Sequence, residues 1–217
     1  MSKIKQTFIF DFDDFSSTRP GMEYLKKMKE HYPNFKCTLF TVPFSSMYVT
    51  NGVDVDKLYE WAEIVKEESD WLEIAVHGFV HTKGECLLPK DKARTLIKAS
   101  ENLFKKIKLP FVKIFKAPYW QMSKEFEEVL LEEGYVKAID RNNPLVYTPI
   151  KTYTWTWSME EPIPTYHTVK AHGHVWETPN GINNVLPNLL KIPTDVDFKF
   201  ISEYLEENGV IVERVQA

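Results

Sequence analysis

The sequence is poor in cysteine, with Cys37 in an apolar run and Cys86 in a loop. Two isolated cysteines provide neither a disulfide framework nor a CxxC metal motif, and they are compatible with a reducing compartment. No apolar run approaches the roughly 20 residues that a membrane-spanning helix needs. No segment is dense in lysine and arginine, and the net charge is -4. The chain therefore lacks the charge pattern of proteins that bind nucleic acid or anionic lipid.

The N-terminal residues run directly into a strand-like segment, with no apolar stretch or cleavage site typical of a secretory signal. We therefore expect a cytoplasmic protein without a membrane span. A length of 217 residues predicts one domain, residues 1–217. The partner we expect is a small molecule or an oligosaccharide, and the oligomeric state is left open.

Short β-branched and aromatic runs alternate with segments of helical period, which predicts an α/β fold of parallel β-α units in a sheet or barrel. The predicted strands are 7–12, 37–42, 72–76, 112–115, 136–139, 153–157, 168–172 and 210–215. Pro20 is predicted at the start of a helix, Ser123 is predicted to cap another, and Gly134 is predicted to end it.

Three carboxylates, Asp11, Asp13 and Asp14, cluster where the first apolar strand ends. Parallel sheets and barrels build active sites at the carboxyl ends of their strands. Two other interpretations remain open at this point. The segment could be an aspartate-rich turn that caps the next helix. Alternatively, Asp11-x-Asp13 resembles the opening motif of the haloacid-dehalogenase phosphatases, in which an aspartate nucleophile works beside magnesium.

Two histidines, His77 and His81, follow the predicted strand 72–76 with Gly78 between them. Imidazole nitrogens at this spacing can converge on one ion. With Asp14 as a third ligand, the set is two histidines and one carboxylate, which leaves positions open for water and substrate. This pattern predicts a catalytic site for a divalent metal, with Zn²⁺ favoured and other first-row ions suited to the same ligands.

The motifs resemble those of the polysaccharide deacetylases, the NodB-homology domain of carbohydrate esterase family 4. Phe12-Asp13-Asp14-Phe15 is similar to their Thr-Phe-Asp-Asp-Gly motif, and the segment 77–81 is similar to their His-Ser/Thr-x-x-His motif. Segments 115–120, 132–135 and 172–177 are similar, in the same order, to their Arg-x-Pro-Tyr motif, the Gly-Tyr that follows it, and the late strand with the catalytic histidine. The resemblance spans residues 7 to about 177 and implies a distorted (β/α)7-type barrel.

The resemblance also implies a function: a hydrolase that removes an N-acyl group from an amino sugar with metal-activated water. In this scheme Asp13 is the general base and His174 the general acid. The implied metal ligands are Asp14, His77 and His81. The implied oxyanion and substrate-binding residues are Tyr119, through its backbone N–H, together with Lys116, Trp120 and Phe15.

Several residues depart from the family pattern. Lys116 replaces the arginine that orients the base, and lysine cannot offer a bidentate fork. Phe15 replaces a glycine, which predicts an aromatic ring that narrows the mouth of the site. The fourth family motif has no clear copy, and Asp140 and Trp157 are the candidates for its parts.

His172 and His174 lie two residues apart, so both side chains should face the same way on a strand, and the resemblance favours His174 as the acid. His167 has the opposite parity and is predicted to be structural, and His31 is predicted to be solvated. Three further hypotheses remain: a hydrolase of another linear or cyclic amide, a magnesium phosphotransferase that uses Asp11 and Asp13, and a non-catalytic glycan-binding relative.

Overall fold

Strands and helices alternate along the chain in the computed structural model, which describes residues 5–19, 21–45, 47, 52–176 and 178–217. Pro20 and Glu177, the last residue of the final motif, lie outside these ranges. The strands are β1 (Thr7–Phe15), β2 (Cys37–Thr41), β3 (Leu72–Val76), β4 (Phe111–Val112), β5 (Ile114–Lys116), β6 (Val136–Ile139), β7 (Thr152–Thr154), β8 (Trp157–Ser158), β9 (Thr168–His174), β10 (Asp197–Lys199) and β11 (Arg214–Val215). The helices are α1 (Met22–His31), α2 (Val55–Glu67), α3 (Lys90–Lys106), α4 (Lys124–Glu132), α5 (Ile182–Leu189) and α6 (Ile201–Glu207), and a 3₁₀ turn covers Pro118–Trp120.

The main sheet has the strand order β7-β6-β5-β3-β2-β1-β9-β8, and β10 pairs with the first half of β1. Every pairing in this sheet is parallel. Because the strands run in one direction, their carboxyl ends meet at one edge. The predicted parallel β-α architecture is thus confirmed. None of the helices in the described ranges is long and apolar enough to cross a bilayer.

The alternation of side chains along β1 separates two layers. Phe8, Phe10 and Phe12 belong to the apolar cluster shared with the helices, whereas Ile9 belongs to a second cluster on the other face of the sheet. Other members of that second cluster are Phe40, Ala75, Ile114, Ala138 and Tyr153. Asp11 and Asp13 have the same parity as Ile9. They therefore continue the second face toward the carboxyl edge.

A bulge interrupts β1 just before that edge. Phe12 pairs with Leu39 of β2, but Phe15 pairs with Thr41, so the register shifts between the two pairs. Asp14, inside the bulge, has a left-handed φ of 66°. In a regular strand consecutive side chains point to opposite faces. The bulge breaks that alternation and lets both Asp13 and Asp14 contribute to one site.

The predicted helix boundaries at Ser123 and Gly134 are confirmed. The hydroxyl of Ser123 accepts a hydrogen bond from the N–H of Phe126 at the start of α4. Gly134 follows the end of α4 with a φ of 77°, a conformation that glycine adopts without steric cost.

Three strand predictions differ from the structure. The predicted strand 112–115 is split at Lys113, because β4 pairs with β11 while β5 joins the main sheet. The predicted strand 153–157 is likewise two strands, with β7 beside β6 and β8 beside β9. Only Arg214–Val215 of the predicted strand 210–215 pairs, and it pairs antiparallel. The short β10 was not predicted because it carries a single apolar residue between two charges.

We predict that Phe10→Ala lowers the free energy of unfolding by about 3–5 kcal/mol, because it removes a fully buried ring. The Phe10 ring centroid lies 5.7 Å from that of Phe35 and 5.8 Å from that of Phe198. Urea denaturation measures the change. As a control, Ile211→Ala, at a residue that is 91% exposed, should change it by less than about 0.5 kcal/mol. Equal effects of the two substitutions would contradict the assignment of this core.

Candidate active site

The side chains of Asp14, His77 and His81 come together at the carboxyl ends of β1 and β3. His81 Nε2 lies 2.8 Å from Asp14 Oδ1, and His77 Nε2 lies 3.6 Å from the same oxygen. One ligand atom from each of the three residues lies within 4.8 Å of the others. The three residues that the sequence predicts as metal ligands are therefore neighbours in space.

The donor atoms of this cluster suit a divalent cation. His77 Nδ1 lies 2.9 Å from the carbonyl oxygen of Lys116, to which it donates, so Nε2 is the nitrogen that faces Asp14. The buried Oδ1 of Asp14 has no hydrogen bond of good geometry among the described residues, although Arg19 Nη1 lies 3.1 Å from it. A cation between these atoms would engage the carboxylate oxygen and the Nε2 lone pair of a neutral imidazole. Two ligand atoms each about 2.1 Å from one ion are about 3–3.5 Å apart, and a two-histidine, one-carboxylate set suits Zn²⁺ and related ions.

Electrostatics favour the ionised form of Asp14 and the protonated form of His77, so an ion bound at His77 would displace the proton on Nε2. Burial raises the pKa of Asp14, but the interactions with His77 and His81 outweigh burial and hold that pKa well below its usual range. Burial lowers the pKa of His77, and the charges of Asp13 and Asp14 outweigh it, so that the pKa is raised. Asp14 is thus ionised at neutral pH.

The loop that carries His81 is organised by the carboxylate of Glu85. That carboxylate accepts hydrogen bonds from the N–H groups of four consecutive residues, 79–82. Gly78 has a φ of 68°, and a Cβ there would collide with Glu85 and with Pro118. The hydroxyl of Ser100 donates to the carbonyl of Gly78. The loop is therefore fixed by protein contacts on both sides of His81.

Two residues that the sequence analysis did not single out contact Asp14. The indole N–H of Trp176 donates to Asp14 Oδ2 at 3.1 Å, and Arg19 Nη1 lies 3.1 Å from Oδ1. The Arg19 guanidinium stacks on the Trp176 ring at 4.2 Å from its centroid. Trp176 belongs to the last of the motifs described above, segment 172–177, and its place in that motif could have marked it as a site residue. Arg19 is brought in by the loop after β1, and nothing in its local sequence marks it.

Asp13, the predicted base, lies beside this cluster and is buried. Its Oδ1 accepts a hydrogen bond from Lys116 Nζ at 2.6 Å, and its Oδ2 lies 4.0 Å from His77 Nε2. Burial raises the pKa of Asp13, but the charge of Lys116, followed by those of the nearby histidines, lowers it to about 2. Asp13 is therefore ionised at neutral pH.

Lys116 also binds Asp11, which has no exposed surface. Lys116 Nζ lies 2.5 Å from Asp11 Oδ1, and His172 Nδ1 lies 2.7 Å from the same oxygen. A nucleophile must reach its substrate, so this burial argues against a phosphotransferase that uses Asp11 as nucleophile. The parity shared by Asp11 and Asp13 was the sequence signal that could have placed both in one site.

His172 and His174 face the same side of β9, as their spacing predicts. They pair in register with Asp11 and Asp13 respectively, and their ring centroids are 5.2 Å apart. His174 is half-buried, and its Nδ1 lies 2.8 Å from Oδ1 of Asn180. Burial lowers the pKa of His174, an effect that the charge of Asp13 opposes only in part.

Two aromatic residues of the 3₁₀ turn border the cluster. Tyr119 is 53% exposed, and its ring centroid lies 5.1 Å from that of His81. The Trp120 ring lies 5.5 Å from the His172 ring. Both residues have left-handed φ angles, 56° and 58°, so the chain bends sharply here. The bend places both rings beside the histidines.

The predicted placement of Phe15 at the mouth of the site is wrong. Phe15 is 1% exposed and packs in the core, with its ring 5.4 Å from that of Trp61 on α2. The register shift of β1 turns this side chain toward the helices. Trp157 is also a core residue, and Asp140 accepts a hydrogen bond from the N–H of Asn142 in the turn after β6.

The two remaining histidines lie on the surface. His167 is exposed and its Nδ1 lies 3.0 Å from the hydroxyl of Thr168. His31 is exposed at the end of α1. Neither belongs to the ligand clusters found among the described residues.

Comparison with known proteins defines the class of fold. No protein-family model matches the sequence. No curated protein matches it either. Solved structures do match. A family 4 acetyl xylan esterase from Clostridium thermocellum, in complex with a cobalt ion, aligns with a TM-score of 0.62 and 17% identity over 94% of this chain and 93% of that one.

Two further structures give the same result. The Bc1960 peptidoglycan N-acetylglucosamine deacetylase aligns with a TM-score of 0.56 and 14% identity over 91% of this chain and 86% of that one. BA3943, a family 4 pseudoenzyme from Bacillus anthracis, aligns with a TM-score of 0.58 and 15% identity over 94% of this chain and 66% of that one. The chain therefore has the fold of the family 4 carbohydrate esterases, and the predicted distorted (β/α)7-type barrel is confirmed.

We predict that Glu85→Gln weakens Zn²⁺ binding about 10- to 100-fold, because an amide cannot accept all four N–H groups and the loop with His81 loosens. Competition with a chromogenic chelator measures the affinity. Glu125→Gln, at an exposed position on α4, serves as the control and should leave the affinity unchanged. An unaltered affinity in Glu85→Gln would show that this carboxylate does not support the ligand loop.

Proposed function

We propose that this chain is a metal-dependent hydrolase that removes an N-acyl group, such as acetyl, from an amino sugar or glycan. The observation that carries the proposal is the convergence of Asp14, His77 and His81 directly beside Asp13 and His174. Metal ligands, an ionised carboxylate and a half-buried imidazole at one strand edge are the groups that amide hydrolysis by water requires. We further propose that residues 1–217 form one catalytic domain.

The structures with the same fold support this choice of chemistry. Their printed names include an acetyl xylan esterase and a peptidoglycan N-acetylglucosamine deacetylase. Both names describe removal of an acetyl group from a carbohydrate. We propose the same class of reaction here, with an amide as the bond that is cleaved.

In this proposal Asp14, His77 and His81 hold a divalent ion, most suitably Zn²⁺. The bound ion supplies an activated water and polarises the acyl carbonyl. Trp176 and Arg19 orient the carboxylate of Asp14 from outside. Outer contacts of this kind fix the direction of a metal ligand.

Asp13 accepts a proton from the attacking water. Its pKa of about 2 leaves the carboxylate free to do so at neutral pH. His174 gives a proton to the departing amine, which is a poor leaving group without it. Because the pKa of His174 is lowered, its imidazole is neutral in the free protein at pH 7, so the proton must arrive during the reaction. Asp13, the register partner of His174, is the group that can supply it.

The substrate enters, in this proposal, past Tyr119 and Trp120. The half-exposed ring of Tyr119 provides an apolar face beside His81 for a sugar ring. The backbone N–H of Tyr119 is proposed as a donor to the tetrahedral oxyanion. Phe15 takes no part, since its ring is enclosed in the core.

We predict that Asp13→Asn lowers kcat about 10²- to 10⁴-fold, the usual contribution of a general base, while Zn²⁺ still binds. His77→Ala should lose both metal and activity. Acetate release from N-acetylated saccharides measures turnover. Asp70→Asn, at an exposed position, is the control and should retain full activity.

The same assay separates the proposal from an amide hydrolase of another kind. A parallel panel of cyclic amides, read by ammonia release or ring opening, covers that alternative. Turnover of cyclic amides without acetate release would replace the sugar substrate with that class. Full activity of metal-free protein would overturn the proposal altogether.

A second candidate is a non-catalytic protein that binds glycans. Two observations favour it: Lys116 stands where the family motif has arginine, and one structure of the same fold is a pseudoenzyme. Calorimetry with N-acetylated saccharides tests this candidate. Binding without turnover, with Zn²⁺ or another divalent ion present, would support it over the hydrolase.

A further inference from the structure

The buried ammonium of Lys116 is fixed by two carboxylates and two aromatic rings. Nζ contacts Asp11 Oδ1 at 2.5 Å and Asp13 Oδ1 at 2.6 Å. It also lies 3.9 Å from the ring centroid of Phe40 and 5.2 Å from that of Trp120. A lysine is a point charge on a flexible stem, so a single partner would not fix its position. The second carboxylate, Asp11, supplies the missing constraint.

Asp11 is itself held by His172. His172 Nδ1 lies 2.7 Å from Asp11 Oδ1 and 3.4 Å from Lys116 Nζ. A carboxylate oxygen only accepts hydrogen bonds, so at 2.7 Å the Nδ1–H form of His172, which donates to Asp11, is the favoured tautomer. The ring of His172 packs 4.9 Å from that of Trp155, which limits its rotation. A chain of contacts thus runs from His172 through Asp11 and Lys116 to Asp13.

We infer that Asp11 and His172 are positioning residues that act through Lys116 to hold Asp13 in the orientation needed for proton abstraction. The inference rests on the proposed function, in which Asp13 is the base. Asp11 has no exposed surface and cannot touch the substrate, and the imidazole of His172 is turned toward Asp11 and packed beside the Trp155 ring. Lys116, Asp11 and His172 together orient the Asp13 carboxylate, a role that a single arginine could fill through two parallel hydrogen bonds.

The two interactions also explain why a lysine can be buried here at all. An unpaired ammonium is strongly unfavourable in the protein interior. Without Asp11, Asp13 alone would have to neutralise Lys116 and also act as the base. With Asp11 as a second counter-ion, Asp13 is not the sole partner that neutralises Lys116. Removing Asp11 should therefore affect turnover more than substrate or metal binding.

The test uses the Zn²⁺-loaded full chain with Asp11→Ala, Asp11→Asn and His172→Phe. We expect Asp11→Ala to lower kcat on the order of 10- to 100-fold, as removal of outer-shell partners does. Asp11→Asn keeps an acceptor for Lys116 and should recover part of the loss, and His172→Phe should lower kcat to a smaller extent. KM and the Zn²⁺ dissociation constant should change by less than about threefold, since the metal ligands stay intact.

The matched control is Glu127→Gln, which disrupts another buried ion pair, that of Glu127 Oε2 with Lys137 Nζ at 2.5 Å. It should lower thermal stability without lowering kcat. The inference is overturned if Asp11→Ala and Asp11→Asn retain wild-type kcat. It is also overturned if their kcat falls no further than that of Glu127→Gln, or if the fall in kcat is explained by weaker Zn²⁺ binding.

A crystal structure of Asp11→Ala, which removes the acceptor for Lys116, separates this inference from the proposed function. Displacement of Lys116 Nζ and of the Asp13 carboxylate supports the network, and unchanged positions overturn it. If the wild-type protein hydrolyses no substrate in the panels, the proposed function fails, and the crystal structure still decides whether Asp11 positions Asp13.

Discussion

The site depends on a single backbone irregularity, the bulge that turns two consecutive aspartates toward one place. A regular strand would send Asp13 and Asp14 to opposite faces. The left-handed φ of Asp14 is costly for a residue with a side chain, on the order of 1 kcal/mol or more. Contacts with His81 and Trp176 hold the strained residue in place. Strain of this kind is typical of functional sites.

Charge balance in the interior follows from the same arrangement. Asp11, Asp13 and Asp14 are buried, and two cations, Lys116 and Arg19, lie against them. Among these five residues, one negative charge is in excess. Buried charge is expensive unless it is compensated, and a divalent cation at Asp14 would reverse the sign of that excess. A positive excess would stabilise the oxyanion of the proposed reaction.

Much of this arrangement was accessible from local sequence. The position of His77 and His81 just after a strand marked them as neighbours, and the shared parity of His172 and His174 follows from regular strand geometry. Both pairs meet at the site. Phe15 was misplaced because its position was inferred from the glycine that it replaces in the family motif, and the register shift of β1 turns its side chain into the core instead. The hydrogen bonds within loops were not predictable. Glu85 accepts from four consecutive N–H groups, and this arrangement depends on how the surrounding segments pack.

The contacts of that glutamate, Glu85, bear on how the proposed site would hold an ion. The ligand loop is held by hydrogen bonds to Glu85 and by the hydroxyl of Ser100 rather than by coordination. Its shape would therefore not depend on a bound ion, unlike that of a zinc finger, which unfolds without its metal. A folded chain of this kind would be able to exchange one divalent ion for another, and the supply of ions in the cell would then decide which one it holds.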